Sequence, residues 1–159
     1  MTTALQALEG SGVARYMREA LWAYPAVEAL HIMALGLVFG SILVVDLRLL
    51  GLSREVSASR LARHALPWTV GAFVVAMLTG LLMFTAHAED FVTNRVFILK
   101  MGLILAAGVN AGLLHTGAFR TVAQWDTAVT PPTRVRFAAG LSIVIWICVI
   151  ACGRLLAYT

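Results

Sequence analysis

The sequence predicts an all-α integral membrane protein: a four-helix bundle with an N-terminal interfacial amphipathic helix. Three observations carry that expectation. Hydrophobic residues make up 60% of the 159 and charged residues 13%, whereas a soluble domain runs near ~45–50% and ~25%. A soluble core of this length has too little interior to hide so much apolar surface. Second, the apolar residues gather into four runs, each near the ~20 residues that a helix needs to cross hydrocarbon. Third, the runs lack strand alternation, and hydrocarbon offers no water to unpaired backbone groups, so helices are the spanning form. Together these exclude a soluble enzyme, a disordered chain and a disulfide scaffold. The chain reads as one membrane domain over residues 1–159.

The spans follow in order. Span one covers residues 24–50 and includes 17 residues without formal charge between Glu28 and Asp46. Span two, residues 66–88, begins near Pro67, because a proline suits a first helical turn whose N–H is unpaired anyway. Span three covers residues 95–117 and is interrupted only by Lys100. Span four covers residues 135–157, with Arg154-Leu-Leu-Ala-Tyr158 adding a last turn. Before them, residues 11–22 place Val13, Tyr16, Met17, Ala20 and Leu21 on one helical face, with Arg15, Arg18 and Glu19 largely off it. That pattern predicts a helix lying on the membrane and ending near Pro25. No basic n-region precedes an apolar core here, so no cleaved signal is expected.

The connections fall on two sides. Side A holds the N-terminus, the turn at residues 89–94 and the C-terminus; side B holds residues 51–64 and 116–134. Side B carries Arg48, Arg54, Arg60, Arg63, Arg120, Arg134 and Arg136, against Arg15, Arg18, Arg95, Lys100 and Arg154 on side A. Basic residues favour the cytoplasmic face. The expectation is therefore a multi-pass protein of the bacterial inner membrane with both termini periplasmic. Trp22, Tyr24 and Tyr158 form a side A aromatic belt and Trp68 marks side B. The net charge of +4 is spread singly or in loose pairs between apolar runs, which reads as lipid-headgroup contact and not as nucleic-acid binding. Gly36-x-x-x-Gly40, the series Ala72, Ala76 and Gly80, and Gly108-x-x-x-Gly112 have the small-residue spacing that lets helices approach closely. They are read as packing within the bundle, with a homo-oligomer seam as the other use.

Ionisable groups inside a span are costly and so are functional candidates. His31 and His87 belong to side A, His64 and His115 to side B. Two imidazoles facing each other from different helices suit a b-type haem, with basic groups near the propionates. His31, His87, Glu28, Lys100 and Arg154 compose that site on side A, and His64 with His115 a second possible one on side B. His64 and His87 are 23 residues apart, or about 34 Å along a straight helix, which disfavours a two-haem wire and leaves one haem on side A. His31 lies deepest, with Glu28 three residues before it as an orienting carboxylate, a proton-relay partner or a structural contact.

A copper reading uses His31, His87 and Met83, which precedes His87 by one turn, because thioether and imidazole ligands suit Cu(I). Met101 and the pair Cys148 and Cys152 lie near the same side. Those cysteines share one helix face and are poorly aimed for a disulfide. The bland alternative for the charges is a locking network: Glu28 between Lys100 and Arg154 on side A, and Asp46, Arg48, Asn110 and Arg136 on side B. Lys100 and Arg154 also leave a surplus positive charge that an anion could meet.

Tyr24-Pro-Ala-Val-Glu28-Ala-Leu-His31, followed by Phe39-Gly-Ser-Ile-Leu-Val-Val-Asp46-Leu-Arg48-Leu-Leu-Gly, resembles a family of small bacterial four-span membrane proteins of uncharacterised function. That family is distantly similar to the copper-resistance D-type and b-type cytochrome membrane folds. Phe97-Ile-Leu-Lys100, Asn110-x-x-x-x-His115 and Gly153-Arg154-Leu-Leu-Ala-Tyr158 fit the same picture. The resemblance implies a four-helix bundle and no named activity. The resulting expectation is bis-His haem b electron transfer on the periplasmic side. The alternatives are a copper or small-solute membrane protein without haem, with copper or no cofactor at all, and a non-catalytic accessory subunit of a larger membrane complex. No nucleophile or acid–base pair marks an enzyme.

Overall fold

The structure, a computed structural model, describes residues 2–158. Met1 and Thr159, the ends of the single-domain reading, lie outside the described residues. Seven α-helices follow one another: α1 (Thr2–Glu9), α2 (Gly12–Glu19), α3 (Ala23–Leu50), α4 (Ala58–Ala86), α5 (Ala88–Thr93), α6 (Arg95–Thr116) and α7 (Thr133–Leu155), with a 3₁₀ segment, Ala118–Gln124, between α6 and α7. No strand occurs among the described residues. Four helices, α3, α4, α6 and α7, are long and apolar enough to cross a membrane. The chain is a membrane-protein-like helical bundle suited to a lipid bilayer.

Local chemistry sets where the spans stop. α3 ends at Gly51, whose φ of +108° is comfortable only without a Cβ. Its N–H reaches Arg48 O at 3.1 Å and Leu52 N reaches Leu47 O at 3.1 Å, closing the last turn. Asn94 opens α6 by accepting from Val96 N at 2.8 Å. α4 corrects the expectation for span two. It begins at Ala58, not near Pro67, because Ser57 caps it by accepting from Arg60 N at 3.2 Å. Pro67 then lies inside the helix, where its missing N–H leaves the carbonyl of Arg63 without a helical donor. Arg63 is exposed at the side B end, where solvent and headgroups can satisfy it.

Two further corrections concern the amphipathic N-terminus. Residues 11–22 do not make one helix ending at Pro25. α2 stops at Glu19, an additional helix α1 precedes it, and Pro25 falls in the first turn of α3, a position that tolerates proline. Ala14 and Met17 are the residues α2 buries, whereas Val13, Tyr16 and Leu21 stay exposed. α2 packs across the side A end of α4, where Arg18 donates to Ala86 O at 3.0 Å and to Glu9 O at 2.7 Å. A cation at a helix C-terminus is electrostatically favourable.

The spans pack in the order α4, α3, α7, α6, with neighbouring backbones in close approach. α4 and α6 have no such approach to each other. The bundle is therefore open along one seam. At side A that seam is closed by Phe84 of α4, Phe91 of α5 and Phe97 of α6, with ring centroids 5.2–6.2 Å apart. At side B the 3₁₀ segment crosses between α4, α6 and α7. Only part of the small-residue pattern packs. Ala72 and Ala76 are buried, and a Cβ on Gly80 would meet His31 Cε1 at 3.2 Å. Around Gly36, Gly40, Gly108 and Gly112 a Cβ would meet nothing within 4 Å. Their expected role as packing sites within the bundle is not observed.

Candidate functional site

Three groups of polar side chains lie within or against the spans. The first surrounds His31 on α3. Its Nδ1 stands 2.9 Å from Thr79 Oγ1 on α4. The Thr79 hydroxyl also lies against the backbone, with Val75 O at 2.7 Å and Ala76 O at 3.1 Å. His31 Nδ1 and the Thr79 hydroxyl thus form one link between α3 and α4, and the tautomer of the ring sets which of them donates. Lys100 of α6 faces this level, with Nζ 3.6 Å from where a Cβ on Gly153 of α7 would stand. Cys152 is buried and unbridged and Cys148 is exposed and unbridged.

The second group lies nearer the side A surface. His87 caps the end of α4, sets its ring against Tyr24 at 6.1 Å and 76°, and approaches Asp90 Oδ2 at 3.8 Å. The structure does not bring His31 and His87 to one depth. His31 is level with Thr79 and His87 with Tyr24, so about 10–12 Å of helix rise separates them. Met83 is partly buried one turn before His87. The expected Glu28–Lys100–Arg154 lock does not form. Glu28 is exposed, Arg154 turns its guanidinium over the Tyr158 ring, 4.5 Å from its centroid, and also hydrogen-bonds the Tyr158 hydroxyl. Among the described residues no Lys or Arg comes within 4 Å of a carboxylate, and the one basic side chain that does is the His87 imidazole, at Asp90. No three His, Cys, Asp or Glu of the described residues gather as a metal-holding group.

The third group lies in the side B half, in a cleft of about 360 Å³ along the open seam. Its walls are apolar and come from all four spans, with Val38, Phe73, Ile104, Ala107 and Trp146 among them. Asp46, Thr69, Asn110, Ser142 and His115 supply polar edges, Thr69 with its hydroxyl 2.7 Å from that of Ser41. Asp46 is 4% exposed and lies beside Ser142 on the cleft wall, and its Oδ2 has no partner. Asn110 donates to Ala138 O at 3.0 Å. His115 engages Ala111 O of its own helix at 3.0 Å and stacks on Phe119 at 5.3 Å. His64 is exposed on α4 and lies off the cleft wall.

The side B lock expected from Asp46, Arg48, Asn110 and Arg136 also fails to form. Arg48, 2% exposed, turns to the loops and donates to Val56 O at 2.6 Å, Arg54 O at 3.2 Å and Asp126 O at 2.9 Å. Asp126 accepts from Ser57 Oγ at 2.7 Å and Ser59 N at 2.7 Å, so it caps the N-terminus of α4. Those bonds, the Ser57 hydroxyl first, hold its carboxyl below the usual carboxylate value. Sequence reasoning missed Thr79 as the partner of His31 and Asp126 as the partner of Ser57. It placed Asp46 in a lock, although Asp46 is one of only two acidic residues inside a span, and that rarity was the available signal.

Residues 18–159 match the family of unknown function DUF6644. The chain belongs to that family. Its matched part includes all four DUF6644 spans and both polar ends of the bundle. Neither a curated protein nor a solved structure matches the chain.

Proposed function

We propose that this protein binds a small lipid-soluble molecule in the cleft between α4 and α6. One observation carries the reading: a cavity of about 360 Å³ is lined by all four spans and open along the seam where α4 and α6 stay apart. Concave, mostly apolar sites with a few convergent polar groups are the usual form of small-molecule sites. Closure at both ends and openness at the side direct entry from the bilayer. The Arg-rich side B end would put the cleft in the cytoplasmic half of the membrane.

Photolabelling tests this directly. Adamantyl diazirine, a neutral hydrophobic label, partitions into proteoliposomes. Val38, Ala107 and Trp146 are buried and line the cleft, so the label reaches them only through it. Labelling of these residues is expected. Labelling confined to outward residues such as Leu105 and Ile147, both exposed, would overturn the reading.

A second reading, a haem b or copper held through His31, is favoured by one observation: Thr79 engages Nδ1 and orients the ring within the bundle. A hydrogen-bonded, oriented imidazole of this kind is what metal sites use. His87, two turns away, does not fit as the opposite axial ligand, so that position would need a group other than His87. Lys100 is the nearest cation for a haem propionate. An absorbance spectrum and metal analysis of the purified protein test this reading. A haem band or bound copper lost in His31→Ala is expected, and a colourless, metal-free protein overturns it.

A further inference from the structure

Asp46 does something that a purely apolar cleft does not need. Its carboxyl is 4% exposed, stands on the cleft wall and leaves Oδ2 unpartnered. Nearby cations do not reach it. Arg48, two residues on, turns away through Nε and Nη2 to Val56 O, Arg54 O and Asp126 O, its Nη1 has no partner, and Arg136 is exposed. Lys100 belongs to the other half of the bundle, against Gly153. Ser142, a neutral hydroxyl, stands beside it on the cleft wall and Asn110 gives its amide to Ala138 O. A buried carboxylate without a counter-charge is costly, and acidic groups within spans are kept where a cation visits them. Trp146 and Phe73 also line the cavity, and aromatic faces attract cations as well as apolar bodies.

We propose that the ligand of the cleft is a compact hydrophobic amine, its apolar body against Val38, Phe73, Ile104 and Trp146 and its ammonium at Asp46. The proposal rests on the cleft reading above and adds the chemical class. A cavity of about 360 Å³ encloses a ring system or short chain and is too small for a two-chain lipid.

Competition against the neutral photolabel separates the two claims. In phosphatidylcholine vesicles, 1-adamantylamine and 1-adamantanol are compared at equal concentrations in the bilayer, so that partitioning cancels. The amine is expected to displace the label from Val38, Ala107 and Trp146 at a concentration about tenfold lower than the alcohol. In Asp46→Asn that advantage is expected to vanish while the neutral label still reaches the same residues, which also shows that the variant folds. If the label never reaches them in the unaltered protein, the cleft reading itself falls. If the label enters but amine and alcohol compete equally, only the amine proposal is overturned, and this comparison needs no variant. The amine proposal is likewise overturned if Asp46→Asn keeps the advantage. Vesicles doped with phosphatidylethanolamine offer the same ammonium on a lipid. Displacement by that lipid as effective as by 1-adamantylamine would make a headgroup the ligand and overturn the compact amine.

Discussion

Arg48 is 2% exposed and yet faces no carboxylate; it is held by three backbone carbonyls from two loops. A guanidinium presents several donors in a fixed fork, which a lysine cannot reproduce. Arg48→Lys is expected to lower stability by about 1–3 kcal/mol, the cost of leaving a buried acceptor unpaired, as read by thermal unfolding in detergent. Asp126 joins the same latch from the other side, through Ser57 and Ser59 N. Its carboxyl sits below the usual 3.8, so its contribution is complete above that value and fades as pH falls through the lower value of the folded protein. Unfolding midpoints measured from pH 7 down to pH ~2.5 should therefore drop on the acid side. Asp126→Ala should lose about 1 kcal/mol at neutral pH, the usual worth of a helix cap, and show a shallower acid decline. An acid limb unchanged in Asp126→Ala would remove Asp126 from the latch.

At the scale of the elements, the pairing of α3 with α4 depends on what lies opposite His31. A Cβ on Gly80 would approach His31 Cε1 at 3.2 Å, so a ring already fixed by Thr79 has little freedom to yield. Gly80→Leu is expected to cost about 1–3 kcal/mol by overpacking. Gly108 is the opposite case. It lines the cleft and a Cβ there meets nothing within 4 Å. Gly108→Leu should leave the fold as stable or up to about 1 kcal/mol more stable, because glycine is a poor helix former. The same change should sharply reduce photolabelling of Val38 and Trp146. Unaltered labelling in Gly108→Leu would show that entry does not pass α6. The two glycines have the same sequence spacing signature, and only the three-dimensional partner tells them apart. The spans themselves were legible because apolar length is a strong signal. The early start of α4 was not, because proline weighed more in the sequence than the Ser57 cap, whose partner Asp126 is 69 residues away.

For the whole molecule, the row α4, α3, α7, α6 explains why the four-helix expectation held while the expected sites dispersed. Helix count follows from composition, but depth matching between helices depends on loop lengths and on packing that no span encodes alone. His31 and His87 are both near side A in sequence, yet α3 and α4 meet in a register that sets them two turns apart. Asp46 became significant only because α4 and α6 stay apart beside it. The orientation of this row decides which leaflet supplies the cleft. Seven basic residues lie toward side B and five toward side A, and the excess favours side B in the cytoplasm. Single cysteines in a cysteine-free background can test it, because Asp90 lies on side A with its side chain 87% exposed and Glu55 is exposed on side B. A membrane-impermeant maleimide is expected to label Asp90→Cys in intact cells and Glu55→Cys only after permeabilisation. The reverse pattern would invert the bundle, place Asp46 in the outer half, and make the outer leaflet the source of whatever the cleft binds.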